Sequence, residues 1–285
     1  MKYKVLILSI LFLTASTAAF SFNSDKGKGA IIELSGTIQS SSSSGSLYSS
    51  GGITPQNVRS LNERVEKEGY DAVIYEINSG GGPVVASKEI KREIENLDAT
   101  TICRFRDVSA SGAYLFSLGC DRIVADSATI TGSIGVTSSY LEFSEAMEEY
   151  GINYVNISSG KYKEVGSQYS EPTDEKKEIL QEKSDKIHTQ FLQMVRENRN
   201  VTDSEHRNIS TGVVYLGSEA KEIGLVDKLG GREVAKSQAE NVTGKDLTFQ
   251  KLSDQQSLNI ADFLASFEMS KFLNLKQAPL TATLN

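Results

Sequence analysis

Three short stretches carry the residue types that hydrolytic chemistry needs. In "DVSASGAYLF", Asp107 to Phe116, Ser111 and Gly112 stand directly before a run of bulky apolar side chains. A serine at a helix start has two uses. Its hydroxyl caps backbone N–H groups that have no partner, or it attacks a carbonyl that neighbouring donors and the positive dipole end polarise. Those ten residues alone favour capping. "EINSGGGPVVAS" sets Gly80, Gly81 and Gly82 between two apolar patterns. That is either a plain turn or a bare backbone able to approach a ligand and aim N–H groups at it. A phosphate loop is excluded by pattern: G-x-x-x-x-G-K-[ST] is absent, and G-x-G-x-x-G fails at Val85. "SSGKYKEVG" places Lys161 and Lys163 on a glycine turn.

A nucleophilic serine needs a base. The chain has two histidines, His188 and His206, both in charged, helix-like or loop surroundings, where an imidazole is ordinarily just solvated. A lysine serves only when burial lowers its pKa from about 10.4. Lys161 and Lys163 are therefore candidates, against the default that surface lysines stay solvated.

These groups need elements to hold them. "GAIIELSGTI" reads as a buried first strand, and "QSSSSSGSLYSSGG", Gln39 to Gly52, as a flexible surface loop. Thr54 and Pro55 open a helix through "QNVRSLNERVEKEG" that Gly69 closes. "DAVIYEI" is a strand, "PVVASKEIKREIENL" an amphipathic helix and "TTICRF" the next strand. Strand and helix alternate, which implies α/β architecture with a parallel sheet. Both the triple glycine and Ser111 then fall at strand-to-helix junctions, where such sheets bind ligands. Thr131-Gly132-Ser133 mark a bend, Asn153 to Ile157 a strand, and Thr173 the start of a long charged helix.

With 285 residues, 39% of them hydrophobic, the chain can bury a full core. Its net charge of −7, with scattered basic residues, disfavours nucleic acid. Cys103 and Cys120 fit no metal-ligand spacing and are expected as buried thiols rather than a disulfide. Residues 1–22, with Lys2 and Lys4 before an uncharged stretch from Val5 to Phe22, read as a signal anchor or signal peptide. The body is then held at a membrane on its extracytoplasmic side, or secreted if the segment is cleaved. Four N-x-S/T sequons, at Asn156, Asn200, Asn208 and Asn241, are compatible with export. Residues 245–285 are expected to form a helical tail, with "IADFLASFEMSKFL" as a packing or partner helix.

"NSGGGPVVAS", "VSASGAYLFSLGCDRIVADSATITGSIGV", "ISSGKYKE" and "GVVYLGSEAKEIGLVDKLGG" stand in the order, and close to the intervals, of the signal peptide peptidase A family of serine proteases. From Gly29 to about Gly231 the chain resembles that family. The resemblance implies a ClpP/crotonase-like fold of repeated β-β-α units over residues 29–244. It also implies a Ser-Lys dyad that degrades membrane-associated peptides, such as apolar signal-peptide remnants, and assembly into a homo-oligomer. Residue by residue, Ser111 matches the nucleophile, Lys163 the base, and Ser133 a hydroxyl that orients the lysine. Gly82 matches a main-chain oxyanion donor, with Gly112 as its expected partner. No cofactor or metal is implied.

Two departures bear on that match. Gly80 stands where the family usually has proline, with Pro83 after the glycines, and Ala113 where a glycine is common, which is expected to narrow the site slightly. Two other readings use the same fold. One is an acyl-thioester enzyme with a backbone oxyanion hole, which needs neither Ser111 nor Lys163. The other is an inactive scaffold that binds peptides at the membrane.

Overall fold

The structure is a computed structural model that describes residues 26–41 and 52–253. Strands β1 (Gly27–Ser35), β2 (Ala72–Ser79) and β3 (Thr100–Ala110) pair in parallel at the centre of a sheet. Helices α1 (Pro55–Glu68) and α2 (Val84–Glu95) connect them. The α/β class expected from the alternation is what forms.

Local signals set the ends of these elements. Thr54 Oγ1 accepts from the Asn57 N–H at 3.2 Å, Pro55 occupies the first turn, and Gly69 ends α1 in the left-handed region at φ 66°. Each choice satisfies backbone groups that a helix end leaves open. β2 alternates between two buried faces. Val73, Tyr75 and Ile77 join the larger core with Val58, Leu61, Ile90 and Ile94, while Ala72 and Ile74 join a smaller one with Ala235 and Ala239. A strand covered on both faces reads as one apolar run, as "DAVIYEI" does. Burying each Ile or Val side chain contributes roughly 1.5–3 kcal/mol.

β3 does the positioning work. Ile102 to Phe105 pair with β4 (Arg122–Ala125), and Val108 to Ala110 pair with β5 (Ile130–Gly132). Helix α3 (Gly112–Ser117) leaves its end. Phe143 precedes the short α4 (Ser144–Glu149), and the long α5 (Asp174–Asn198) returns to the body, followed by α6 (Asp203–Ile209). β6 (Val214–Leu216) runs antiparallel to β5, and α7 (Gly217–Glu222) follows it. β7 (Lys228–Leu229) pairs with β4, α8 (Arg232–Thr243) covers the second face, and β8 (Leu247–Lys251) adds in parallel to β1.

Four expectations are corrected. The tail expected from 245 begins instead with β8, because Leu247 and Phe249 have an apolar face to cover beside β1. Asn153 to Ile157 forms no strand and pairs with none among the described residues, and all five residues are exposed rather than packed on the sheet. Cys103 and Cys120 form a disulfide: β3 and the turn after α3 bring their Cα atoms to 5.8 Å, within disulfide reach. Ala113 is buried in the main core rather than narrowing the site. The apolar segment within 1–22, the centre of the Ser/Gly loop and "IADFLASFEMSKFL" lie outside the described residues. Among the described residues no helix is long and apolar enough to cross a membrane.

Candidate active site

β3 ends at Ala110, and Ser111 turns the chain into α3 with φ 53° and ψ −122°. Positive φ is costly for a residue with a Cβ, of the order of 1–3 kcal/mol, and persists only where surroundings enforce it. Among the described residues two non-glycines have it, Ser111 and Ser133. The enforcing contacts are visible. The Ser111 N–H donates to the Gly132 carbonyl at 2.9 Å, and the Ser111 carbonyl accepts from the Leu115 N–H at 2.9 Å. Every residue of α3 is buried. The Tyr114 hydroxyl donates to the Leu225 carbonyl at 3.0 Å, and burial pushes its pKa up, so it remains a donor. Ser111 forms no side-chain cap on α3, which removes the capping reading.

Ser133, at φ 49°, follows Gly132 and donates its N–H to the Val213 carbonyl at 3.0 Å. The Thr131 hydroxyl donates to the Ser109 carbonyl at 2.6 Å, tying the same turn to β3. Ser111 and Ser133 are thus joined through adjacent backbone.

The glycine loop packs main chain against main chain. A Cβ on Gly81, whose φ is 103°, would lie 2.7 Å from the Gly112 nitrogen and 2.9 Å from the Ala110 carbonyl oxygen. One on Gly82 would lie 2.5 Å from the Ile38 carbonyl oxygen, and one on Gly112 would lie 3.0 Å from the Gly82 nitrogen. Real Cβ atoms do not approach backbone as closely as at Gly81 and Gly82, so glycine is required at those two, while a Cβ at Gly112 would be tight. Neither the Gly82 nor the Gly112 N–H has a main-chain acceptor among the described residues. Two such donors beside a serine hydroxyl are the makings of an oxyanion hole. Gly80 is different: a Cβ there meets nothing within 4 Å. The missing proline therefore leaves the loop's close contacts unchanged.

The lysines lie elsewhere. Lys161 Nζ is 2.7 Å from Glu175 Oε1 and donates to the Tyr162 hydroxyl at 2.9 Å. The hydrogen bond to Glu175, then that to Tyr162, pushes its pKa up, the wrong direction for a base. Lys163 is exposed and helps line a shallow cleft with Tyr154, Asn156, Ser158 and Val165, and Ser111 is not part of that lining. Among the described residues no hydrogen bond joins Lys163 to Ser111. The segment that carries Lys163 has unburied apolar side chains, with Leu141 70%, Tyr150 78%, Val155 80% and Ile157 95% exposed.

Sequence reasoning set His188 aside as a solvated helical residue, and it is not one. Its Nε2 lies 2.9 Å from the Ile134 carbonyl oxygen, partly buried. The available signal was spacing, for His188, Phe191 and Val195 share one face of α5, and the latter two are buried. A cleft of about 420 Å³ opens between α5 and the strand-like run after Ile134, lined by Val136, Tyr140, Pro172 and Leu180 among others.

The model of Peptidase family S49 matches residues 101–246. A putative protease of Methanocaldococcus jannaschii, MJ0651, is 33% identical over 219 residues, covering 73% of this chain and 70% of that protein. The putative signal peptide peptidase SppA of Enterococcus faecium is 35% identical over 173 residues, covering 60% of this chain and 50% of its own length. Protease 4 of Haemophilus influenzae is 31% identical over 219 residues, 76% of this chain and 35% of that protein. The chain thus spans from about a third to about two thirds of these relatives. Its fold is shared with a mutant of the 1510-N membrane-bound stomatin-specific protease, at a TM-score of 0.51 and 14% identity over 81% of this chain and 99% of that one. A strained serine beside glycine amides that have no main-chain acceptor among the described residues and the match of the family model agree: the chain belongs to peptidase family S49, a family of serine proteases.

Proposed function

We propose that this chain is a serine endopeptidase that cuts apolar, membrane-associated peptides such as signal-peptide remnants, with Ser111 as nucleophile and Lys163 as general base. The observation that carries the reading is the pair of strained serines, Ser111 and Ser133, fixed to one another through Gly132. Backbone strain of this kind clusters where geometry serves chemistry.

The chemistry follows from the groups present. The neutral Lys163 amine takes the Ser111 proton as Oγ attacks the peptide carbonyl carbon. The Gly82 and Gly112 N–H groups hold the resulting oxyanion, and Ser133 orients the lysine. The ammonium returns its proton to the leaving amine as the C–N bond breaks, leaving an acyl ester on Ser111. Water, deprotonated by the same amine, then hydrolyses that ester.

A lysine base must be buried enough to shed its proton. Packing of the segment that carries Lys163 would supply this, and assembly into a homo-oligomer would cover its exposed Tyr150, Val155 and Ile157. The cleft beside Val136 and Leu180, lined also by Thr137, Ser138 and Gln181, has room for a peptide side chain. A disulfide fits an extracytoplasmic body, held at the membrane through residues 5–22. The sheet, with its split third strand, suits a ClpP/crotonase-like arrangement. The inactive-scaffold reading is favoured by one observation, the exposure of Lys163. A fluorophosphonate probe decides between them: the endopeptidase is labelled on Ser111, as located by peptide mass, and a scaffold is not.

A further inference from the structure

We infer that His188 is a positioning residue for this site, coupling α5 to the turn that carries Ser133; the inference rests on the Ser111–Lys163 reading above. A carbonyl oxygen only accepts, so the 2.9 Å contact between His188 Nε2 and Ile134 fixes the proton on Nε2 and makes the imidazole the donor. Ile134 follows Ser133 directly and is fully buried. The strained turn therefore receives a bond at each side: Ser133 N–H to the Val213 carbonyl on one, and the Ile134 carbonyl from His188 on the other.

The place of His188 along α5 gives this bond its role. The fully buried residues of the helix, Phe191 and Val195, lie C-terminal to it. Towards the N-terminus, Lys177, Leu180, Gln181 and Ser184 line the open cleft instead of entering a core. Apart from Glu175, which is bonded to Lys161 and Tyr162, His188 makes the hydrogen bond from α5 to another element that lies nearest the helix N-terminus among the described residues. Beyond that point α5 is bound to the segment bearing the candidate base, through Glu175 to Lys161 and Tyr162. His188 thus stands where the anchored half of the helix meets the half whose first turn is bonded, through Glu175, to Lys161 and Tyr162. One bond there sets the angle of the carrier and the place of Ser133 together. Its loss should misplace the base relative to Ser111, although His188 itself is not among the residues that line the cleft.

The test uses the full chain with His188→Ala, His188→Gln and Ser111→Ala, reading kcat and KM on an apolar peptide. Glutamine offers an Nε2 donor at similar reach. The expected result for His188→Ala is a fall in kcat of about tenfold or more, as for a lost hydrogen bond felt in the transition state, with KM changed less than kcat. His188→Gln should recover most of it. The inference is overturned if kcat of His188→Ala equals that of the parent, or if glutamine restores nothing, since the side chain then only fills space. Failure of the underlying dyad reading looks different: parental cleavage survives Ser111→Ala, and the positioning role falls with it.

Discussion

The Ser111 N–H is bonded to the Gly132 carbonyl at 2.9 Å, so the residue that presents the nucleophile is held by the residue preceding Ser133. Neither serine sits in its strained conformation alone. Each holds the other through one peptide unit, and every residue of α3 behind Ser111 is buried.

That strain is measurable. Ser111→Gly removes the steric cost of positive φ, whereas Ser111→Ala keeps it while deleting the same hydroxyl. Both variants should be inactive, and Ser111→Gly should melt higher than Ser111→Ala by a few degrees, about the effect of 1 kcal/mol in a domain of this size. Equal melting points in calorimetry would mean that the turn is not strained.

The glycine loop predicts a graded series. Gly81→Ala puts a methyl group 2.7 Å from the Gly112 nitrogen in a backbone region alien to alanine. Cleavage should fall about a hundredfold or more, the scale of losing one oxyanion donor. Gly80→Ala meets nothing within 4 Å and should retain near-parental cleavage. Matching losses in the two would detach the loop from the oxyanion role.

The disulfide ties α3 back to β3 and encloses Ser111 between Cys103 and Cys120, 17 residues apart. Digestion without reductant should yield one cross-linked peptide pair. A reducing agent should lower the melting temperature by roughly 5–10 °C, since a loop of this size contributes on the order of 3 kcal/mol. Two freely alkylated thiols in the oxidised protein would contradict the pairing.

Glu76 gives a pH dependence. Its carboxylate is fully buried, with Arg232 Nε at 2.7 Å and Arg104 Nη1 at 3.5 Å. The Arg232 hydrogen bond, opposed by burial and helped by the charges of Arg232 and Arg104, lowers its pKa. A carboxylate with a depressed folded-state pKa contributes stability that is complete above its unfolded value of about 4.3. The contribution is lost as pH falls from there through the folded value. Arg232→Met should therefore move the acid-unfolding midpoint upward, and an unmoved midpoint by circular dichroism would show that the pair does not hold α8 to the sheet.

Much of the core and nucleophile turn was legible because local chemistry governs it. Thr54, Pro55 and Gly69 bound a helix in any context, and an unbroken apolar run such as "DAVIYEI" needs two covered faces. Ser111 was ambiguous at short range, and motifs spread along the chain resolved it. What stayed hidden depended on long-range placement. Cys103 and Cys120 pair only because α3 turns back along β3. His188 looks solvated until Ile134 is brought beneath it. Strand β8 belongs to the sheet because β1 has an open edge, a fact that no residue after 245 encodes locally. The exposure of Lys163 is likewise a property of how its segment packs, not of "SSGKYKEVG".

The most direct test compares cleavage of an unfolded protein and an apolar peptide by the parent, Lys163→Ala and Lys161→Ala at equal concentration, with folding verified by circular dichroism. Loss of the base should reduce Lys163→Ala about a thousandfold or more, while Lys161→Ala loses its exposed ion pair with Glu175 but leaves the Tyr162–Glu175 bond to α5, and keeps most of its activity. Parental rates in Lys163→Ala would contradict the Ser-Lys assignment outright.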